Sequence, residues 1–281
     1  MPARVDLTPY GACAPGLFDR IVLRVTRRLP ATWLGERLAI LLRRTVTMRL
    51  KDRALDTSLW NTRMRLYPRG NGCEKMALFT PQMFDPVERN ALAAAIDTAR
   101  AAGREFTFVD LGANVGLYSL FVASRCGDKA HVLAIEPQPG IVDRLAYNVQ
   151  LNPELPIAIA EVAAADRESE LTFIINDRDS GGSHVLEHGA APSGAVRIPC
   201  RPLAAILRDA HISAIDAMKV DIEGAESIAL PPFFREWPAS DLPRLIIVER
   251  REEDFDLPAL LHRHGYSVLA QGRQNTVFRL K

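Results

Sequence analysis

The most informative stretch of the chain is a short strand-like segment, followed by glycines and then by residues with helical spacing. Residues 106–109 alternate aromatic and β-branched side chains, a composition typical of a buried parallel strand. Asp110 ends this segment, and Gly112 and Gly116 follow in quick succession. Apolar side chains then recur with helical spacing at Leu117, Leu120 and Phe121. The pattern predicts a strand, a glycine turn and a helix, with Asp110 at the strand's carboxyl end, where open α/β sheets bind ligands.

Alternating strand and helix patterns continue along the rest of the chain. Strands are predicted at 131–135, 157–163, 171–175, 212–220, 245–248, 267–269 and 276–280, and helices at 140–152 and 256–264. Pro231 and Pro232 are expected to break the helix that follows the strand at 212–220, because proline lacks the N–H that a helix interior uses. This order of elements predicts an α/β protein built on a largely parallel sheet.

The first 57 residues are predicted to form a basic helical extension to a larger domain at 58–281. Of the first 70 residues, 14 are Lys or Arg and 5 are Asp or Glu. Apolar positions with helical spacing predict two helices, at 18–29 and 31–44, separated by Pro30. The simplest interpretation is that they pack on the larger domain with an arginine-rich face toward solvent. Docking on anionic lipid and a homodimer contact are the alternatives.

Two local patterns lie between these helices and the first sheet strand. Arginines alternate with apolar residues at 63–67, which predicts a strand whose arginine face, including Arg65, is solvated. The segment from Asp85 to Glu88 carries the signature of a helix start. Asp85 is expected to cap the helix, Pro86 suits its first turn, and Glu88 is expected to complete a capping box.

Composition narrows the function classes without selecting one. The chain has 281 residues, 48% of them hydrophobic and 25% charged, which is ordinary for a globular protein with a buried core. A net charge of +1 gives no reason to expect a nucleic-acid partner. The four cysteines form no C-x-x-C motif, so reduced thiols in the cytoplasm are expected. No signal peptide or membrane-length apolar run is found, so stable membrane insertion is not expected.

The residues around the glycine turn indicate which ligand it suits. Asn114 and Leu117 occupy the positions where the dinucleotide pattern G-x-G-x-x-G requires glycine, and no Walker loop is present. An acidic residue before the turn repels phosphate but can hold an ammonium, so Asp110 with Asn114 suits a zwitterionic ligand. Glu136 ends the next strand, 20 residues beyond Gly116, where a carboxylate can accept both hydroxyls of a ribose. S-adenosylmethionine combines an amino acid with a nucleoside.

Four segments resemble the class I methyltransferases and, more narrowly, the FkbM family: residues 110–120, 134–137, 180–183 and 218–226. The resemblance implies a Rossmann-like, mostly parallel seven-stranded sheet that ends in an antiparallel hairpin, with S-adenosylmethionine as the cofactor. It also places the segment around Arg65 beside the site, where a substrate contact is the alternative to a solvated face. Asp166 resembles the acidic residue that methyltransferases often place on the adenine amine, although a turn aspartate is an equal alternative.

The candidate site residues follow from these motifs. The predicted cofactor-binding residues are Asp110, Gly112, Asn114, Gly116, Glu136, Asp166 and Asp221. The predicted catalytic residues are Glu223, His184 and Asp221. Glu223 or His184 is expected to act as the general base, and Asp221 to orient the cofactor's methionine portion or to bind acceptor hydroxyls. No metal is predicted, although Asp221, Glu223 and Glu249 leave a divalent cation as an alternative.

The predicted function is S-adenosylmethionine-dependent O-methylation of a small-molecule hydroxyl. The resemblance implies a sugar, a polyketide or another secondary metabolite as the acceptor. The Asn/Asp-Pro-Pro-Tyr motif that often marks amide and amine methylation is absent after the strand at 212–220, which favours oxygen. The alternatives are a catalytically silent cofactor-binding module and a nicotinamide-dependent oxidoreductase, which the residues of the glycine turn oppose.

Overall fold

The computed structural model describes residues 5–174, 184–186, 195–222, 224–250 and 255–281, with the backbone alone for 171–174, 184–186 and 195–196. The described helices are α1 (Leu17–Thr26), α2 (Trp33–Leu50), α3 (Gly72–Phe79), α4 (Pro86–Ala101), α5 (Leu117–Cys126), α6 (Pro139–Gln150), α7 (Leu203–Asp209), α8 (Glu226–Glu236) and α9 (Leu257–Arg263). The described strands are β1 (Leu55–Leu59), β2 (Thr62–Leu66), β3 (Phe106–Leu111), β4 (Ala130–Ile135), β5 (Ile157–Ala160), β6 (Ala163–Ala165), β7 (Ser169–Ile174), β8 (His184–Leu186), β9 (Ala195–Pro202), β10 (Ala217–Val220), β11 (Leu245–Glu249), β12 (Tyr266–Gln271) and β13 (Asn275–Leu280).

A seven-stranded sheet in the order β12-β13-β11-β10-β3-β4-β5 forms the centre of the described structure. Strands β5, β4, β3, β10 and β11 pair in parallel, while β13 pairs antiparallel with β11 and with β12. Strand β3 is central, and the chain reverses its direction of progress across the sheet there, between β4 on one side and β10 on the other. This arrangement confirms the predicted class I methyltransferase fold, including the antiparallel hairpin.

Helices cover both faces of this sheet, because successive side chains of each buried strand point to opposite faces. Phe106 and Phe108 of β3 pack in one apolar cluster with residues of α4 and α5. Val109 and Leu111 pack in a second cluster with residues of α7, α8 and α9. Burial on both faces explains why the sequence of this strand is continuously apolar. It also fixes the strand's register, because a slip of one residue would turn every side chain to the opposite face of the sheet.

A second sheet contains four strands in the order β6-β9-β7-β8. The sequence pattern predicts a single strand at 157–163, and this prediction is wrong in its extent. The chain leaves the main sheet after β5, and β6 instead pairs in parallel with β9. Ala163 and Ala165 are buried in a small cluster with Ile198 and Cys200, so packing against β9 separates β6 from β5. The predicted strand at 171–175 corresponds to β7.

Helix α8 contradicts the expected break at the double proline. It runs from Glu226 to Glu236 with both Pro231 and Pro232 inside it. Each proline removes a backbone donor and crowds the carbonyl four residues earlier, which ordinarily kinks or ends a helix. Here Phe233 and Phe234 are buried among side chains of the sheet and α9, so tertiary packing holds the helix across the prolines.

Strands β1 and β2 form an antiparallel hairpin that includes residue 58, so the predicted division between 57 and 58 falls within β1. Arg65 is 1% exposed, which corrects the expectation of a solvated arginine face and leaves it closed to a substrate. Its Nε and Nη2 donate to the two carboxylate oxygens of the buried Asp56, at 2.7 and 3.0 Å. Its Nη1 donates to the backbone carbonyls of Asp6 and Thr8. A planar guanidinium satisfied by a bidentate carboxylate and carbonyls tolerates burial, which the alternating pattern alone does not reveal.

Among the described helices, none combines the length and the apolar character that crossing a membrane requires.

Candidate active site

Asp110 is the penultimate residue of β3, just before the turn to α5, and is 1% exposed. Its Oδ2 accepts hydrogen bonds from the backbone N–H of Ser119 at 3.0 Å and from the Ser119 hydroxyl at 2.7 Å. Its other oxygen, Oδ1, is buried without a hydrogen-bond partner among the described residues. Desolvation raises the pKa of Asp110 to about 6, although the Lys219 charge and the Ser119 hydrogen bonds act to lower it. The carboxylate therefore anchors the helix start and keeps one acceptor unused.

The two glycines of the turn adopt left-handed backbone conformations, with φ of +82° at Gly112 and +85° at Gly116. A Cβ at Gly112 would lie 1.9 Å from the backbone oxygen of Asp221. At Gly116 it would lie 2.6 Å from Cδ1 of Leu145 on α6. Glycine is therefore required at position 112 for the turn to pack against the backbone after β10, and at position 116 it is favoured by the left-handed backbone.

Glu136 follows β4 and contacts the glycine turn directly. Its Oε2 accepts a hydrogen bond from the backbone N–H of Asn114 at 2.9 Å, and Oε1 accepts one from Gln138 at 3.1 Å. Desolvation raises the pKa of Glu136 to about 7, although these two amide donors act to lower it. The structure thus brings together the predicted residues Asp110, Gly112, Asn114, Gly116 and Glu136 at the carboxyl ends of β3 and β4.

Strand β10 adds Lys219 and Asp221 to the same sheet edge. Lys219 is opposite Asp110 in the register of β10 and β3. Its Nζ lies 2.7 Å from Oδ2 of Asp221, and the two side chains are 8% and 28% exposed. Burial acts to lower the pKa of Lys219, but the charges of Asp221 and Asp110 outweigh it and raise that pKa. Asp221 is thus held at this edge by a buried cation.

Lys219 has no predicted role, because the sequence reasoning stopped at the carboxylates that follow it. The signal that reveals it is a lysine inside a short, otherwise apolar parallel strand, since an unpaired ammonium is rarely buried. Such a lysine implies acidic partners, and in the structure these are the neighbouring Asp221 and Asp110.

Helix α3 approaches the same region from the N-terminal part of the chain. Asn71, which caps α3, donates from Nδ2 to Oδ1 of Asn114 at 3.0 Å. Cys73, in the first turn of α3, lies within the electrostatic influence of Lys219, Asp221, Asp85 and Glu249. The Cys73 side chain is exposed at the surface, while the protein groups around it raise the pKa of its thiol, so the thiol stays protonated at neutral pH. The start of α3 is therefore part of the site's surroundings.

The expected capping box at Asp85 is not formed. Asp85 has a left-handed backbone with φ of +42° and makes no side-chain cap hydrogen bond. Capping requires an extended backbone that turns the side chain toward the first helical N–H groups, and the left-handed conformation does not. The Tyr118 hydroxyl instead donates to Oδ2 of Asp85 at 2.8 Å. Glu88, the other half of the expected box, accepts a hydrogen bond from Nδ2 of Asn275 at 3.0 Å.

Among the other predicted residues, the structure describes the side chain of Asp166 alone. Asp166 is exposed after β6, and its carboxylate lies 3.6 Å from Nη1 of Arg167. His184 begins β8, where its backbone pairs with Ile174; its side chain is outside the described part. Glu223 and the glycine loop at 180–183 also lie outside the described residues. No group of three or more metal-ligating side chains is found among the residues that the structure describes.

Comparison with known proteins identifies a family and relatives that this chain resembles. The family model described as the Methyltransferase FkbM domain matches residues 110–268, more than half of the chain. Methyltransferase sdnD of Sordaria araneosa is 28% identical, in an alignment that covers 57% of this chain and 73% of that protein. The AMB antimetabolite synthetase AmbE of Pseudomonas aeruginosa is 25% identical over 57% of this chain, which spans only 9% of AmbE.

A solved structure of an S-adenosylmethionine-dependent methyltransferase from Agrobacterium tumefaciens is similar at 15% identity, with a TM-score of 0.45. That alignment covers 81% of this chain and 70% of the other. The family match begins at Asp110 itself and runs through the ends of β3, β4 and β10, so it includes the sheet edge where the buried acids and Lys219 lie. The chain therefore belongs to the FkbM methyltransferase family, and it is a methyltransferase with S-adenosylmethionine as its cofactor.

Proposed function

We propose that this methyltransferase transfers the methyl group to a hydroxyl of a small molecule, such as a sugar, a polyketide or another secondary metabolite. The observation that carries the proposal is the partly exposed carboxylate of Asp221. Its Oδ2 lies 2.7 Å from Nζ of Lys219, at the same edge of the sheet as the glycine turn. Carboxylates at this position suit an acceptor that presents hydroxyl hydrogens and loses one of them during methyl transfer.

The residues of the glycine turn fit the cofactor. Asp110 keeps one buried oxygen without a partner among the described residues, which suits the ammonium end of S-adenosylmethionine directly or through water. Glu136 has one amide donor on each carboxylate oxygen, and each oxygen keeps a lone pair for a ribose hydroxyl. We assign the methionine portion to Asp110 and Asn114, the ribose to Glu136, and the adenine amine to Asp166.

When bound, S-adenosylmethionine supplies a methyl group on a positively charged sulfur. The chain's main task is then to align the acceptor oxygen with that methyl group and to exclude water, which can lower the barrier by about 7–11 kcal/mol. A general base adds roughly 10²–10⁴-fold for an alcohol acceptor. The positive charge of Lys219 neutralises the carboxylate of Asp221. We therefore assign Asp221 to orienting the acceptor, and we assign the role of general base to Glu223 or His184.

Two observations support a hydroxyl of a small molecule as the methyl acceptor, one from the sequence and one from a relative. The sequence after β10 lacks the Asn/Asp-Pro-Pro-Tyr motif and presents Asp221 and Glu223 instead. One relative carries the description of an antimetabolite synthetase, which is consistent with a small-molecule product.

A first experiment tests the assigned cofactor contacts. Calorimetric titration with S-adenosylhomocysteine should show binding by the wild type and at least about tenfold weaker binding by Asp110→Ala and Glu136→Ala, because each loses a charged contact. Asp128→Ala removes an exposed aspartate that precedes β4 and serves as the matched control. Unchanged affinity in both site variants would remove these assignments.

A second experiment tests the acceptor. A set of alcohols and their amine counterparts is screened for formation of S-adenosylhomocysteine. Methylation of alcohols supports the proposal, methylation restricted to amines overturns it, and binding without turnover of any acceptor favours the silent cofactor-binding module.

A further inference from the structure

Helices α1 and α2 carry an unusual amount of exposed apolar surface. Trp33 and Leu34 are 72% and 69% exposed, and Leu17 at the start of α1 is 71% exposed. Single exposed apolar residues are ordinary, but contiguous apolar patches on a protein surface mark an interaction site. The question is whether these side chains form one surface and what covers it.

Helix α2 has two apolar faces. Ala39, Val46 and Leu50 are buried, and Val46 and Leu50 pack in the core cluster. On another side of the helix, the exposed side chains Leu34, Leu38, Leu41 and Met48 follow one another at spacings of four, three and seven residues. Such spacing places them on a single stripe, because the α-helix repeats every 3.6 residues. The second stripe faces solvent in the described structure.

Helix α1 continues this surface. Its side chains Phe18, Ile21 and Val25 are exposed at helical spacing, while Val22 and Leu23 are buried. The guanidinium of Arg49 on α2 lies 4.5 Å from the centre of the Phe18 ring, which joins the exposed stripes of the two helices. We call this joined surface of α1 and α2 the N-terminal apolar face; it comprises the exposed side chains Leu17, Phe18, Ile21, Val25, Trp33, Leu34, Leu38, Leu41 and Met48.

Basic side chains accompany the N-terminal apolar face, and exposed acids do not. Six arginines of this region are exposed: Arg20, Arg24, Arg28, Arg37, Arg44 and Arg49. The two acids of the helices, Asp19 and Glu36, are half-buried, and Glu36 lies 3.3 Å from Arg273. In a twofold contact between two copies, the same patch faces itself, so arginines would face arginines. An anionic lipid surface instead pairs with every one of them.

We propose that the N-terminal apolar face docks the protein on the surface of an anionic lipid bilayer. The leucines and Trp33 enter the boundary between headgroups and acyl chains, while the flanking arginines contact lipid phosphates. This is interfacial docking of amphipathic helices, which needs neither a spanning helix nor a lipid anchor.

The test is sedimentation of the full chain with vesicles of phosphatidylcholine and phosphatidylglycerol in equal parts, compared with phosphatidylcholine alone. We expect binding to the anionic vesicles that is at least about tenfold stronger than to neutral ones and that weakens with added salt. Arg20→Gln/Arg24→Gln should reduce partitioning by roughly 25-fold, since each basic residue contributes about fivefold near an anionic surface.

The apolar part of the face is tested by Trp33→Ser/Leu34→Ser, which should weaken binding to anionic vesicles by about tenfold or more through lost apolar burial. Exposed residues elsewhere supply matched controls: Leu269→Ser for the apolar change and Arg235→Gln/Arg279→Gln for the charge change. Both controls should bind like the wild type. Unchanged thermal unfolding midpoints would show that the variants remain folded.

Two outcomes would overturn the proposal. One is wild-type partitioning that is equal for neutral and anionic vesicles, or that no face variant reduces more than its control. The other is a concentration-dependent dimer in analytical ultracentrifugation that Trp33→Ser/Leu34→Ser dissociates, because a second copy of the chain would then cover the face.

Discussion

The raised pKa of Glu136, together with its proposed contact with the ribose, predicts that cofactor binding depends on pH in a range where most carboxylates are fully ionised. Desolvation raises this pKa to about 7 in the free protein, against the opposing effect of the amide donors of Asn114 and Gln138. A carboxylate that accepts both ribose hydroxyls must be ionised, so protonation removes an acceptor from the ligand. Affinity for S-adenosylhomocysteine should therefore fall as the pH decreases through 7.

The size of the effect follows from the two buried acids. A group with a pKa of about 7 is about nine-tenths ionised at about pH 8 and about one-tenth at about pH 6, which gives roughly a tenfold loss of affinity. Asp110, with a pKa of about 6, is nearly fully ionised at the higher pH and half ionised at the lower. It adds about a twofold loss, so the combined decrease is roughly 20-fold.

Calorimetry at the two pH values measures this decrease. Titrations repeated in buffers with different heats of protonation should also show net proton release that rises as the pH decreases below 7, to roughly 1.4 protons per ligand at about pH 6, because binding favours the ionised form of both carboxylates. Glu136→Gln removes the titrating group, so its weaker affinity should change only about twofold, through Asp110. Equal wild-type affinity at both pH values, or a full decrease that persists in Glu136→Gln, would refute the reasoning.

Three further predictions concern packing and turnover. Gly112→Ala should abolish cofactor binding because its Cβ would lie 1.9 Å from a backbone oxygen that follows β10. Gly103 also has a left-handed backbone, with φ of +67°, but has open space around it. Gly103→Ala therefore serves as the control for backbone strain alone, in both calorimetry and thermal unfolding. Arg65→Met should lower the free energy of unfolding by about 3–5 kcal/mol, because it removes the cation that pairs with the buried Asp56 carboxylate; urea denaturation measures this against the exposed Arg63→Met. Glu223→Gln should lower kcat and leave cofactor affinity near that of the wild type; full activity would exclude it as the base.

The sheet and its edge could be predicted because their signals are local. Continuous apolar segments identify strands buried on two faces, and the residue after each segment marks a carboxyl end. Asp110, Glu136 and Asp221 were placed in this way, and the structure brings all three to one edge. The structure adds a contact that the sequence did not predict, a direct hydrogen bond from the backbone N–H of Asn114 to Glu136.

Contacts between distant segments account for the features that the sequence did not reveal. Asp85 carries every local signal of a helix cap, but its left-handed backbone and its contact with Tyr118, 33 residues away, place it elsewhere. Arg65 occupies a position that alternation assigns to solvent, although Asp56 on β1 makes it a buried cation. In both cases the partner's position depends on the tertiary fold, which periodicity does not encode.

One buried side chain joins the hairpin of β1 and β2 to the glycine turn, and this contact bears on how independent the basic extension is. Asn148 of α6 is fully buried; its Oδ1 accepts a hydrogen bond from the backbone N–H of Arg65 on β2 at 2.8 Å. Its Nδ2 donates to the backbone carbonyl of Val115, within the glycine turn, at 3.0 Å. The same helix begins just after Glu136. Because unsatisfied buried backbone groups are costly, displacing the hairpin would leave Asn148 half-paired and loosen the turn. The hairpin is therefore held to the glycine turn through Asn148 and packs as part of the same unit.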